Sequence, residues 1–289
     1  MDVALVTFIQ VVYVIASLAL FSVGLAVIFG MMRVMNLAHG EFLMLGAYAV
    51  LVPANAWGIN LWVCMFVIAP LFVGLVGVII ERLIVRYLYG RMMDTLLATW
   101  GLSLFIVGLM TTLFGNTMEG ISTPLGSYQI GGLSDSVYKF VVIAVAVAVL
   151  LGLYLLLKFT RFGLVARGTM ENAAQASVMG VNPRRVYTVT FGLGAALSGL
   201  AGAVLAPISG VLPSMGVAYI GKAFITVIGG GEAIVTGTAT AATLFGAVNQ
   251  VTTYAYSPVI GEVALLLAAI VMLRILPQGI TGRFFRRSI

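Results

Sequence analysis

The sequence predicts an all-α polytopic membrane protein with eight to nine transmembrane helices in two inverted repeats, some of the helices broken or short. Three observations carry that expectation. Only 8% of the 289 residues are charged and 62% are hydrophobic, whereas a soluble domain carries about 25% charge. Twenty-four charged side chains cannot cover a soluble globule of this size, and the mean hydropathy is +1.15. Apolar runs of roughly 20 residues recur, the length that crosses a bilayer as a helix. Lys and Arg gather in alternate connections between those runs, as the positive-inside rule requires.

The first run, about residues 3–29, is too long for a signal-peptide core, and Met1-Asp2 supplies no positive leader. It is expected to remain as the first span. Further long runs lie near residues 61–80, 95–114, 138–158, 185–206, 233–252 and 258–276. Two shorter ones, about 38–53 and 214–230, are interrupted by Gly or polar residues and either span or re-enter. Arg82, Arg86 and Arg91 occupy one connection; Lys158, Arg161, Arg167, Arg184 and Arg185 flank another; Arg283, Arg286 and Arg287 follow the last run. These three regions are expected in the cytoplasm, and with them the C-terminus. The connections near Pro53–Asn60 and Gly115–Val137 hold no Lys or Arg and face the other side. With Asp2 outside and Arg33 inside, both short runs must cross, which gives nine spans. If one only re-enters, eight remain and the N-terminus changes side.

The nine-span count divides the chain into four spans, a connecting fifth, and four inverted ones. Repeat 1 covers about 3–114, the connecting span 138–158, a cytoplasmic loop 159–184, and repeat 2 about 185–276. Inverted repeats with interrupted helices mark transporters, with the path at the repeat interface. Gly40-Glu41 in one broken run matches Gly221-Lys222 in the other. Charges inside a membrane are costly and default to functional candidates. Glu41 and Lys222 are therefore expected to approach one another, or else to pair locally. Asn36, His39, Gly40, Glu41, Gly221 and Lys222 are the path candidates. On the sixth span, Ala195/Gly199 and Ser198/Gly202 lie four apart and permit close helix approach.

The loop 159–184 reads as a short helix over Thr169–Met179. Thr169 is its expected N-cap, Glu171 sits in the first turn, Gly180 is the C′ residue, and Asn182-Pro183 restarts a helix. Its small side chains suit either an interfacial helix without a partner or a docking helix.

Enzymatic chemistry finds no complete motif. Gly216 to Ala223 fits G-x-x-x-x-G-K but ends in Ala where a P-loop needs Ser or Thr for Mg²⁺. His39-Gly-Glu41 lacks the cysteines of a zinc deaminase, since Cys64 stands alone, and no second His completes a metalloprotease pair. No metal, cofactor or nucleic-acid partner is expected.

Several stretches resemble one family. Ala176-Ser-Val-Met-Gly-Val-Asn182 after Arg161-Phe-Gly163 is similar to the coupling loop of ABC-importer permeases. Asn36-Leu-Ala-His-Gly-Glu-Phe-Leu-Met-Leu-Gly-Ala-Tyr48 resembles permeases for branched-chain amino acids, urea and short-chain amides. Tyr89-Gly-Arg91, Thr95-Leu-Leu-Ala-Thr-Trp-Gly101 and Leu276-Pro-Gln-Gly279 look closest to the urea and amide members. Glu171-Asn-Ala-Ala174 only approximates the acidic-Ala-Ala consensus of older coupling loops. The resemblance implies a subunit of the bacterial inner membrane paired with a second permease. Two cytoplasmic ATP-binding subunits would lie below and an extracytoplasmic solute-binding protein above. Arg167, Thr169, Glu171, Ala173, Ala174, Ala176, Ser177 and Gly180 would then meet the ATPase. An autonomous channel for a small neutral solute and a proton-coupled carrier remain the alternatives.

Overall fold

The computed structural model describes residues 2–130 and 132–284. Arg286 and Arg287 lie outside that range, and the side chain of Arg283 is not described. Each apolar run forms a helix. In chain order these are α1 (Asp2–Met32), α2 (His39–Trp57), α3 (Leu61–Leu83), α4 (Met92–Phe114) and α5 (Tyr138–Phe159). Two short helices follow, α6 (Arg161–Glu171) and α7 (Ala173–Val178). The second half holds α8 (Pro183–Ser209), α9 (Met215–Gly230), α10 (Ile234–Ala255), α11 (Pro258–Ile275) and α12 (Gly279–Phe284). Among the described residues, six helices are long and apolar enough to cross a membrane: α1, α3, α4, α5, α8, and α11 with its extension. The pair α9 and α10, bent by 115° at Gly231–Ala233, raises the number to seven when taken as one span.

Helix α8 organises the packing because its small residues admit neighbouring backbones. A Cβ built on Gly24 of α1 would lie 2.5 Å from the Gly194 carbonyl oxygen. One built on Gly46 of α2 would lie 2.1 Å from the Gly199 carbonyl, and one on Gly202 would lie 1.8 Å from that of Leu43. Ala195 presses on Gly77 of α3 from the same helix. The spacing read from the sequence thus serves contacts within the chain. Helix α10 packs on α1 at Gly246, against Ile15. In α3, a π-helical stretch over Cys64–Ile68 comes just before Pro70, which cannot donate its own ladder bond.

The connections fall into two groups by their contacts. Leu37 N–H donates to Thr99 near the start of α4, and Arg86 donates to Thr188 near the start of α8. Ala233 N–H, between α9 and α10, donates to Thr281 of α12. Lys158 and Arg167 share a cleft with Glu232. This is the basic face. On the opposite face Glu119 and Val211 form an antiparallel bridge, tying the α4–α5 connection to the α8–α9 turn.

The all-α expectation needs one correction. The α4–α5 connection carries a two-stranded antiparallel hairpin, β1 (Ser127–Ile130) with β2 (Leu133–Ser136). Strands of four residues are at the lower limit of the length over which alternation can be read. Gly126 and Gly132 supply positive φ beside the strands. Asp135 in this hairpin takes Lys139 at 2.7 Å, which neutralises that cation.

Candidate functional site

Two regions gather the residues singled out by sequence. The first is the pair α6–α7 on the basic face. Thr160 starts α6: its hydroxyl oxygen accepts from Gly163 N–H at 3.1 Å and donates to Leu156 O at 2.6 Å. Gly163 is obligatory there, because a Cβ would lie 2.1 Å from the Leu157 carbonyl oxygen. Ala166 is buried against Val23, Val27 and Met31 of α1 and Leu153 and Leu157 of α5, with Phe162 and Met170 beside it. Helix α6 is thus held to the spans along one side.

The expected helix over Thr169–Met179 is broken in two. Thr169 does not cap it: the residue is buried inside α6 and donates to the Val165 carbonyl at 2.8 Å. The break falls at Asn172, whose side chain accepts from Gln175 N–H at 3.0 Å. Asn is the stronger cap, and a Thr hydroxyl inside a helix satisfies itself on the preceding turn. Glu171, expected in the first turn, is for the same reason the last residue of α6, while the end of the loop is as the sequence indicated. Gly180 closes α7 at φ +85°, and Asn182 caps α8 by accepting from the N–H groups of Arg184 and Arg185, with Pro183 at N1.

The structure does not bring all the loop candidates to one surface. Arg167 and Glu171 line the cleft of the basic face. Thr169 and Ala176 are buried and Ala173 is half-buried, while Ala174, Ser177 and Gly180 are exposed around α7. The most prominent side chains there were not singled out by sequence. Val178 is 89% and Met179 84% exposed, at the end of α7. The available signal was two apolar residues in succession just before a glycine turn, in a segment otherwise polar or small.

The second region lies where α2 and α9 begin. Their N-termini meet: a Cβ on Gly40 would lie 2.3 Å from the Gly216 carbonyl oxygen. Neither helix has a side-chain cap. Asn36 precedes α2 and accepts from Ala38 N–H at 3.0 Å. His39 bridges two helices, with Nε2 at 2.8 Å from the Phe21 carbonyl of α1 and Nδ1 at 3.1 Å from the Ser198 hydroxyl of α8. Facing a carbonyl, Nε2 carries the proton and Nδ1 accepts. Glu41 is 1% exposed; its Oε1 accepts from Ser103 at 2.7 Å, while Oε2 has no hydrogen-bond partner among the described residues and lies toward Gly216. A carboxylate in the first turn of one helix and beside the start of another complements both dipoles.

Glu41 does not meet Lys222. Lys222 lies two turns into α9, and its Nζ pairs with Glu262 of α11 at 2.6 Å. Matching the two broken runs by position set Glu41, in the first turn of α2, against Lys222, in the second turn of α9, whereas the close contact joins the two first turns, Gly40 to Gly216. Gly221 is exposed and touches nothing near its Cβ position. A single charge reversal, Lys222→Glu or Glu262→Lys, is expected to lower the unfolding temperature of the detergent-solubilised protein. The double reversal recovers most of that loss; failure to recover would mean that the two charges act separately.

Tyr89, from another stretch quoted above, donates to the buried Glu81, which also faces Arg86 at 3.5 Å. Burial, then the Glu81 carboxylate, hold the Tyr89 phenol well above its ordinary range. This joint fastens the α3–α4 connection under α8, where Arg86 reaches Thr188.

Residues 7–276 match the family described as the permease component of branched-chain amino acid transport systems. The chain belongs to that family. Among curated proteins it is 25% identical over 283 residues to LivH, a permease protein of the high-affinity branched-chain amino acid transport system of Escherichia coli. That alignment covers 93% of this chain and 92% of the relative. A probable branched-chain amino acid permease, LivH of Methanocaldococcus jannaschii, is 29% identical over 286 residues, covering 92% of this chain and 88% of the relative. The permease protein BraD of Pseudomonas aeruginosa is 25% identical over 283 residues, covering 93% and 92%. No solved structure matches the chain.

Proposed function

We propose that this chain is the translocating subunit of an ABC importer of the bacterial inner membrane, carrying small amino acids of the branched-chain type, urea or short-chain amides. It pairs with a second permease and two cytoplasmic ATP-binding subunits, and an extracytoplasmic solute-binding protein delivers the solute. The observation that carries this reading is the α7 tip. Val178 and Met179 stand almost fully exposed on a face rich in Arg and Lys, held out by a helix anchored to three spans. Adjacent apolar side chains so exposed among charges suit a protein contact.

All nine helices that correspond to apolar runs are spans on this reading, with the N-terminus outside and the basic face and C-terminus in the cytoplasm. The two-group sorting of the connections supports it, since nine alternating crossings would produce it. Inverted repeats find support in reciprocal packing: α3 lies on α8 while α10 lies on α1, and α2 meets α9 start to start. ATP-driven closure of the partner ATPases pushes α7, α6 transmits the movement to α1, α5 and α8, and the halves rock about the α2–α9 contact. Asn36, His39, Gly40 and Glu41 lie at that pivot, on the path between the halves.

The test is affinity co-purification from mild-detergent membranes. Wild type is expected to bring an ATPase with it, and Val178→Asp with Met179→Asp to lose it while still inserting. Retention of the ATPase by the double variant would remove α7 from the contact. Absence of any ATPase from wild type, with the chain alone passing solute in liposomes, would make it a channel.

A further inference from the structure

The basic face contains a cleft of about 500 Å³ between the end of α5, helix α6 and the α9–α10 turn. Its volume is within the range of small-molecule sites, and no residue of α7 lines it. Its charges are of both signs: Lys158 and Arg167 against Glu171 and Glu232. Among the described residues no ion pair joins the two signs. Lys158 Nζ donates to the Tyr154 hydroxyl at 2.7 Å, and Arg167 Nε donates to the Gly163 carbonyl at 3.2 Å. Among the described residues neither carboxylate has a hydrogen-bond or ion-pair partner. The rest of the wall includes the apolar Leu157, Ile234 and Val235.

A simple cation would gain two carboxylates but face two fixed positive charges, and a simple anion would meet the converse. A ligand carrying an ammonium and an acidic group a few bonds apart satisfies both pairs at once. We propose that this cleft binds such a zwitterion, with its ammonium toward Glu171 and Glu232, its acidic group toward Lys158 and Arg167, and any aliphatic portion on Leu157 and Ile234. The chemistry has two sources within reach. An aliphatic α-amino acid arrives from the cytoplasm, and the phosphoethanolamine headgroup of a lipid arrives from the inner leaflet, where α5 ends. Either occupant ties α6 to the α9–α10 turn. On the reading of α6–α7 as the coupling element, and only on it, the cleft then regulates transport by holding α6 to the core; binding itself does not depend on that reading.

The purified full-length chain is titrated calorimetrically with L-leucine, and with leucinamide and isovalerate, which each lack one of the charges. Native mass spectrometry scores retention of phosphatidylethanolamine against phosphatidylglycerol. Lys158→Gln and Glu232→Gln, both at exposed positions, are measured beside wild type, and their elution by size exclusion reports folding. Leucine or phosphatidylethanolamine is expected to bind wild type, to lose about tenfold or more in affinity in each variant, and to be preferred over its single-charge counterparts. Leucine alone identifies feedback by a cytoplasmic amino acid; phosphatidylethanolamine alone identifies a lipid site; competition between them identifies one site open to both. If neither binds, if both variants bind like wild type, or if leucinamide and isovalerate equal leucine, the zwitterion site is wrong. Should the variants fail to fold, the wild-type preference over single-charge analogues still decides it. ATPase co-purification is scored on the same membranes, so loss of the ATPase reading and loss of the cleft reading are seen separately.

Discussion

Gly202→Ala is expected to prevent the protein from accumulating in the membrane. The added methyl would sit 1.8 Å from the Leu43 carbonyl oxygen and 2.6 Å from its carbon. In a soluble core an extra methylene costs about 1–3 kcal/mol, because neighbouring side chains shift rotamer to make room. Here the obstructing atoms are backbone, so α2 and α8 must separate along their length. Gly46→Ala is expected to behave alike, at 2.1 Å from the Gly199 carbonyl. Gly101→Ala and Gly108→Ala on α4 meet nothing within 4 Å and serve as controls at wild-type levels. Quantified full-length protein in membranes and thermal unfolding in detergent are the measurements. A Gly202→Ala protein that accumulates and melts like wild type would show that α2 and α8 do not touch as described.

The small-residue spacing on α8 illustrates what the sequence could convey. Ala195, Ser198, Gly199 and Gly202 announced that something approaches closely, because side-chain volume is a local property. They did not announce what. Gly202 receives α2, Gly199 both α2 and α3, and Ser198 both α1 and the His39 ring. The positions of the helices were legible for the same reason, since hydropathy is local and a span is long. Partner choice is not local. Glu41 and Lys222 looked like a pair because each was the charge of a broken run, yet Ser103 and Glu262 reach them first. In the loop Asn172 and not Thr169 caps the second short helix, because the Thr169 hydroxyl is absorbed by the Val165 carbonyl of its own helix. Val178 and Met179, quoted only as part of a longer stretch, were not among the contact candidates because two apolar residues are ordinary in so hydrophobic a chain. Only their exposure on a charged face sets them apart.

On the proposed reading, the glycine at the α5–α6 joint is expected to separate holding the ATPase from being driven by it. Gly163→Ala would place a methyl 2.1 Å from the Leu157 oxygen and 2.5 Å from its carbon, so the joint must open. Opening withdraws Ala166 and Phe162 from α1 and α5, while the exposed end of α7, ten residues and more beyond, keeps its local caps at Asn172 and Gly180. On the proposed reading the ATPase is therefore expected to co-purify with Gly163→Ala as with wild type, and to hydrolyse ATP. What fails is transmission. Altered packing along a coupling route changes the coupling by about 0.5–2 kcal/mol, so solute taken up per ATP hydrolysed is expected to fall several-fold, up to roughly thirtyfold. Gly168→Ala on the same helix meets nothing within 4 Å and should leave that ratio unchanged. Uptake per ATP in proteoliposomes decides the matter. An unchanged ratio in Gly163→Ala would free α6 from any part in transmission. Loss of the ATPase itself would make α6 part of the docking surface instead of the lever behind it.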